Sequence, residues 1–295
     1  MSKIQILKTP QELQTYCVKL KSTNNNATLG LVPTMGALHL GHSSLITKST
    51  KDNAHTIVSI FVNPAQFGAN EDLSTYPRTL DSDIAKCEEL GASAVFIPNA
   101  SDMYASDDEA VLNAPKSLGF VLEGFARPSH FSGVLQVVMK LFWLVRPDNA
   151  YFGQKDAQQL LIIQKMVKDF FIPICIVPCP IVRDIDGLAL SSRNAYLSPQ
   201  ERECALSIPK AIKSMQNAYQ KILDSNEKSK NCANIDSSKI LEAGLAVLKN
   251  SQIKLEYLTA CNYELRQISH ITPNKSIILL AGFVGKTRLL DNLWL

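Results

Sequence analysis

Apolar positions along this chain alternate between two rhythms. Short runs rich in β-branched residues, bounded by turn formers, predict buried strands at residues 28–33 (TLGLVP), 55–63 (HTIVSIFVN), 93–98 (SAVFIP), 149–153 (NAYFG) and 172–180 (IPICIVPCP). Between them, apolar residues recur at helical spacing. That predicts helices over 44–53, over 77–92 with Gly91 as the stop, over 133–147 ending at Pro147, and over 155–170. Strands alternating with helices predict a parallel sheet covered on both faces. The rhythm changes near residue 199. Residues 198–225 read as largely helical with an interruption at Pro209, and NEKSKNCANID (226–236) reads as a polar linker. A further helix follows (237–250), then strands in KLEYLTACNYEL (254–265) and KSIILLAGFVG (275–285). Helices followed by strands predict a smaller α+β unit. The expected division is 1–187 and 188–295.

Composition narrows the class. The 295 residues are 46% hydrophobic and 19% charged, an ordinary globular balance, with a net charge of +3. That charge is too weak for a nucleic-acid coat or a membrane-surface protein, and it suits small anionic ligands. MSKIQILKTP lacks the apolar core of a signal peptide, and no apolar run reaches the ~18 residues of a membrane span. A cytoplasmic protein is expected. The seven cysteines (Cys17, Cys87, Cys175, Cys179, Cys204, Cys232 and Cys261) form no CxxC or Cys/His cluster, so free thiols are expected rather than zinc ligands. Cys175 and Cys179 share strand parity.

Candidate chemistry sits where strands hand over to helices. In PTMGALHLGHSSL (33–45), His39 and His42 lie three apart around Gly41. A helix N-terminus offers N–H groups and a positive dipole to phosphate, and ligands of open α/β sheets bind at this edge. The same spacing also fits two polar helix-start residues. FVNPAQF (61–67) closes the next strand with Asn63 and Gln66, neutral groups suited to hydroxyls or a carboxylate, or to turn chemistry. FGQKDAQQL (152–160) supplies Lys155 for phosphate, Asp156 for a ribose hydroxyl or metal, and Gln159, placed i, i+4 from Lys155 on one helical face. LALSSRNAYLS (188–198) offers Ser191, Ser192 and Arg193, good phosphate ligands or an ordinary interdomain loop. EGFARPSHFSGV (123–134) adds Arg127, His130 and Gly133, in a mobile cover or a surface connection.

Together with KLFWLVRPDNAYFGQKDAQQL, MVKDF, RDIDGLALSSRNAYLSPQER and GKTRLLDN, these stretches span nearly the whole chain in one order. The sequence resembles the pantoate–β-alanine ligases, which belong to the HxGH nucleotidyltransferases. The resemblance implies a Rossmann-type N-terminal domain, a smaller C-terminal lid domain and a homodimer. It also implies ATP-dependent condensation of (R)-pantoate with β-alanine through a pantoyl adenylate, with Mg²⁺ accompanying ATP. By the same resemblance, Met35, Gly36, Ala37, Leu38, His39, Leu40, Gly41 and His42 would hold ATP, with His42 as proton donor. Gly153, Gln154, Lys155, Asp156, Val182 (through its backbone), Leu190, Ser191, Ser192 and Arg193 would contact it as well. Catalysis would fall to His39, His42, Lys155 and Arg193. Gln66 and Gln159 would bind pantoate, with Asn63 and Arg127 as further substrate contacts, and no metal ligand is assigned. The loop 191–193 and residues 68–78 are expected as covers that keep water from the adenylate. Departures from the family pattern are Ser129 for a glycine, Gln136 for a threonine, Trp143 for an asparagine and Leu190 for a methionine. The arginine usual before the glycine of GKTRLLDN is also missing. FVNPAQF and FGQKDAQQL argue against a rival HxGH adenylyltransferase acting on phosphopantetheine, and the intact His39, His42, Lys155 and Arg193 argue against a non-catalytic nucleotide-binding protein that kept the fold.

Overall fold

A computed structural model describes residues 4–23, 26–68, 71, 73–106, 108–229 and 235–295, with side chains omitted for 226–229. Residues 230–234 of the expected polar linker, Cys232 among them, and residues 69, 70 and 72 of the expected cover lie outside the described residues, while 226–229 continue a helix and 235–236 form a short strand rather than linker. The chain divides into two compact units, Met1–Ile181 and Val182–Leu295.

The first unit runs β1 (Gln5–Leu7), α1 (Pro10–Thr23), β2 (Leu29–Thr34), α2 (Leu40–Asp52), β3 (His55–Ile60), α3 (Leu80–Glu89) and β4 (Ala94–Phe96). Three single-turn helices follow, α4 (Ala100–Met103), α5 (Lys116–Gly119) and α6 (Glu123–Ala126). The unit closes with α7 (His130–Val145), β5 (Asn149–Gly153), α8 (Ala157–Asp169) and β6 (Cys175–Cys179). The six strands form one sheet in the order β1-β4-β3-β2-β5-β6, and every pair is parallel. The expected parallel α/β sheet is therefore present. The chain places β3 and β4 on one side of β2, then returns to place β5 and β6 on the other. The carboxyl ends of β2 and β5 thus flank the crevice where such sheets bind ligands.

Burial explains the central strands. Leu29, Leu31, Val32, Ile57, Val58 and Val95 are at most 1% exposed, as expected of parallel strands covered on both faces. Tyr151 is wholly buried yet satisfied: its hydroxyl accepts from Asn53 Nδ2 (2.7 Å) and donates to Asp52 (3.0 Å). Helix α7 is buried along most of its length, and its first turn packs on the 3-10 turn Pro64–Gln66. Gly133 makes that approach possible, since a Cβ there would lie 2.1 Å from the Ala65 carbonyl oxygen and 2.6 Å from the Gln66 nitrogen.

The second unit contains α9 (Pro199–Ala205), α10 (Ser207–Ser229), β7 (Ile235–Asp236), α11 (Ser237–Leu248), β8 (Lys254–Asn262), β9 (His270–Ile271), β10 (Ser276–Val284) and β11 (Thr287–Trp294). β11, β10 and β8 form an antiparallel sheet, and β7 pairs antiparallel with β9. The expected α+β character holds. The helix break falls at Leu206 rather than Pro209, because Pro209 sits in the first turn of α10, where its missing N–H costs nothing. The bidentate pair of Arg183 with the buried Asp291 (2.6 and 3.0 Å) ties the hairpin joined by Arg183 and Ala189 to β11. Arg202 holds Asp184 and Asp186 of the same hairpin. Among the described cysteines, Cys175 is exposed, Cys204 half-buried, and Cys17, Cys87, Cys179 and Cys261 buried, all as free thiols. No described helix is long and apolar enough to cross a membrane.

Candidate active site

Three adjacent strand ends build the site in the first unit. β2 delivers the 35–42 segment, β3 delivers Asn63 and Gln66, and β5 delivers Gly153 to Asp156.

The β2–α2 segment is held from both sides. Gly36 (φ +82°) and Ala37 (φ +50°) are consecutive left-handed residues, and only the first is a glycine. The turn is fixed by Asp83 of α3, whose carboxylate is 1% exposed. Its Oδ2 accepts from the Ala37 amide (2.8 Å), and its Oδ1 from the Leu38 amide (2.8 Å) and the Thr79 hydroxyl (3.1 Å). One helical turn on, Lys86 Nζ donates to the Leu38 carbonyl. Neither α3 residue was expected at the site.

His39 is the N-cap of α2 and His42 its third residue. His39 Nδ1 accepts from the Gly41 amide (3.1 Å), and His42 Nδ1 accepts from the His39 amide (3.3 Å). The two rings lie 4.1 Å apart at 31°. This is a reciprocal capping box built from two imidazoles. It fixes the tautomer, since a nitrogen that accepts an N–H carries no proton. Burial, with Lys155 and Lys86 adding to it, lowers the pKa of His39 to about 4. Burial and the neighbouring His39 lower that of His42 to about 3. Both rings are therefore neutral near pH 7 with the proton on Nε2. Four amides of the segment expected to face phosphate are already engaged: Ala37 and Leu38 with Asp83, His39 and Gly41 with the imidazoles. The Nε2–H groups of the two imidazoles remain as donors.

Lys155 and Asp156 sit in the 3-10 turn Gln154–Asp156, with Lys155 Nζ 3.4 Å from Asp156 Oδ1. Both interact electrostatically with the two histidines. α8 begins only at Ala157, so the expected single helical face for Lys155 and Gln159 does not exist. Asp156, at φ −91° and ψ 62°, breaks the helix between them. Gln159 is half-buried in the first turn of α8, and Leu40 is 69% exposed.

On the β3 side Asn63 is 1% exposed, and its carboxamide is fully engaged. Oδ1 accepts from Tyr104 Oη (2.6 Å) and Ala65 N (3.3 Å), while Nδ2 donates to Gly133 O (3.1 Å) and Gln66 Oε1 (3.1 Å). Gln66 Nε2 donates to Met35 Sδ (2.8 Å), which joins the β3 and β2 contributions. Arg127 donates to Glu71 and, through Nη1, to His130 Nε2 (3.1 Å). His130 Nδ1 therefore carries the proton and donates to the Gln66 carbonyl (2.9 Å). Burial and Arg127 lower the His130 pKa to about 4, which keeps that relay neutral. Ser129 adopts an ordinary right-handed conformation (φ −92°), so replacing the usual glycine introduces no strain.

Val182, Leu190, Ser191, Ser192 and Arg193 lie in the second unit. There the Leu190 amide donates to the Val182 carbonyl (3.0 Å) and Ser191 Oγ accepts from the Arg193 amide (3.3 Å).

Comparison with known proteins places the whole chain in one family. The family model for pantoate-beta-alanine ligase matches residues 5–294. The pantothenate synthetase of Helicobacter acinonychis is 52% identical over 293 residues, covering 99% of this chain and all of that protein. That of Wolinella succinogenes is 48% identical over 292 residues, with 99% and 100% covered. The crystal structure of pantothenate synthetase from Thermus thermophilus superposes with a TM-score of 0.86 at 36% identity, covering 98% of this chain and 99% of that one. The pantoate-beta-alanine ligase of Francisella tularensis, solved with beta-gamma ATP and beta-alanine, gives 0.77 at 34% identity, covering 99% and 97%. With the family model, these relatives and the solved structures all matching along nearly its whole length, the chain belongs to the pantoate-beta-alanine ligase family.

Proposed function

We propose that this ligase joins (R)-pantoate to β-alanine in two steps driven by ATP. In the first, a pantoate carboxylate oxygen bonds to the α-phosphorus of ATP as the α–β bridging bond breaks. The electron pair leaves with pyrophosphate, and pantoyl adenylate remains. In the second, the β-alanine nitrogen, having shed its ammonium proton, bonds to the acyl carbon. The bond to the adenylate oxygen breaks and AMP leaves.

The observation that carries this reading is the mutually capped, neutral imidazole pair beside Lys155. A carboxylate is already ionised near neutral pH, so adenylation needs no base. It needs donors and positive charge around a crowded phosphate. His39 and His42 serve as Nε2–H donors, and Lys155 and Arg193 as cations. Ser191, Ser192 and the backbones of Met35, Gly36, Gly41, Gly153, Gln154, Val182 and Leu190 are further nucleotide contacts in this reading, Gly36 and Gly41 by packing, since their amides bond Thr34 and His39. Gln66 and Gln159 bind pantoate. Asn63 and Arg127 act behind Gln66, since their polar atoms face protein partners. The solved complex of the Francisella relative with ATP analogue and β-alanine supports the substrate pair.

Mg²⁺ fits the donor set. No group of three or more His, Cys, Asp or Glu able to enclose an ion occurs among the described residues. Asp156 offers one carboxylate, half exposed. That suits a cation that keeps most of its waters and arrives on substrate phosphates. When bound, it neutralises phosphate charge. A cytoplasmic homodimer completes the proposal by family resemblance, and the loop 191–193, with the described residues between 73 and 78, serves as a cover because the adenylate must be kept from water.

Isotope transfer tests the two-step order. Pantoate labelled with ¹⁸O in its carboxylate should pass one labelled oxygen to AMP, because the oxygen that attacks phosphorus departs with it. Unlabelled AMP would show that no acyl adenylate forms.

A further inference from the structure

Asn63 and Gln66 form a chain of carboxamides whose direction is fixed from one end. Two backbone atoms distinguish the ends of Asn63. The Ala65 amide can only donate, and it meets Oδ1. The Gly133 carbonyl can only accept, and it meets Nδ2. With Asn63 so oriented, the Tyr104 hydroxyl donates to Oδ1 at 2.6 Å, the shortest of its four bonds. The remaining Nδ2 hydrogen then goes to Gln66 Oε1. Turning the Gln66 carboxamide would set one NH₂ against another. Gln66 therefore turns its N–H groups away from Asn63, where one meets the soft Met35 thioether.

Tyr104 is itself held firmly. Lys140 Nζ lies 4.2 Å over its ring and pairs with Glu109, which Gln136 also reaches (3.4 Å). Burial and Glu109 push its pKa up to about 12, so the hydroxyl keeps its proton across the working range of pH. Gln136, one of the departures from the family pattern, thus braces the segment that carries Tyr104.

We infer that Tyr104 is a positioning residue for substrate selection: its hydroxyl gives Asn63 Oδ1 the shorter of its two hydrogen bonds, and so helps hold Asn63, and through it Gln66 with Nε2 turned away from Asn63, as a donor to an oxygen of pantoate. The inference rests on the reading that Gln66 touches pantoate.

Steady-state kinetics of Tyr104→Phe and Gln66→Glu test both layers. Tyr104→Phe removes the shorter of the two hydrogen bonds to Asn63 Oδ1 and loosens the Asn63–Gln66 pair, and should raise the pantoate KM about tenfold, the effect of one buried hydrogen bond, with kcat and the ATP KM held. Gln66→Glu removes the donor outright and should raise the pantoate KM further. A raised pantoate KM in Gln66→Glu alone would overturn the role of Tyr104 and leave Gln66 at the substrate. An unchanged pantoate KM in Gln66→Glu would overturn the placement of Gln66, and the inference with it. A fall in kcat and melting temperature together in Tyr104→Phe, with no selective KM change, would reduce Tyr104 to a structural residue and overturn the inference.

Discussion

Replacing Asp83 by asparagine probes how the site is built, because it preserves shape and changes one atom's polarity. In the parent, the two carboxylate oxygens take the Ala37 and Leu38 amides, both at 2.8 Å, at a position 1% exposed. In Asp83→Asn an NH₂ must face one of those amides. A hydrogen bond to a charged acceptor is lost, about 1.5–3 kcal/mol, and a buried donor is left without a partner, about 1–3 kcal/mol. The two costs overlap, so the net is about 3 kcal/mol, or about 100-fold in the population of the closed turn. Ala37 already sits at φ +50°, so the turn has little reason to hold without its clamp. The assay pairs pantoate-dependent pyrophosphate release with urea unfolding. The first should slow by about 100-fold if the turn opens locally, and the second should lose about 3 kcal/mol if the clamp opens only on unfolding. Retention of both within about 0.5 kcal/mol, the range of a neutral surface change, would refute the clamp.

Three further outcomes follow from the same geometry. His39 and His42 are held well below the ordinary 6.5, so their folded-state contribution is complete above pH 6.5 and is lost as pH falls through about 4 for His39 and about 3 for His42. Unfolding free energy should drop by several kcal/mol across that window, and His39→Asn, which caps without titrating, should flatten the slope; an unchanged slope would contradict the assignment. His42→Ala should slow single-turnover pyrophosphate release about 100-fold, the effect of losing one donor to developing phosphate charge, and an unchanged rate would remove His42 from the first step. Arg183→Met would strand the buried Asp291 carboxylate and should cost the second unit about 3–5 kcal/mol in a denaturant titration, with part recovered on adding Asp291→Asn; a cost under about 1 kcal/mol would show the pair is dispensable.

Much of the fold was legible because the signals were local. The buried runs at β2, β3 and β5 were long, β-branched and bounded by turn formers, and the handover from β2 to α2 was marked by glycines and histidines. What stayed hidden depended on partners distant in sequence. Asp83 reads as a solvated helix-start acid, and only the sheet order brings α3 beside residues 37 and 38, 46 and 45 positions away. Tyr104 caps a helix of one turn, too short to leave a periodic trace. The capping role of His39 was open to a sequence reading, but the reciprocal bond from His42 required coordinates. β11 was passed over because TRLLDNLW mixes charged and apolar residues, and it becomes a strand by pairing with β10 after the turn at Gly285, where φ is +57°.

The central claim is tested most directly by incubating the purified protein with ATP, Mg²⁺ and (R)-pantoate, with and without β-alanine, and following pyrophosphate, AMP and pantothenate. Pyrophosphate release should require pantoate, and AMP and pantothenate should appear together only when β-alanine is present. AMP and pyrophosphate formed without pantoate, or pantothenate formed without ATP, would contradict the proposed adenylate route.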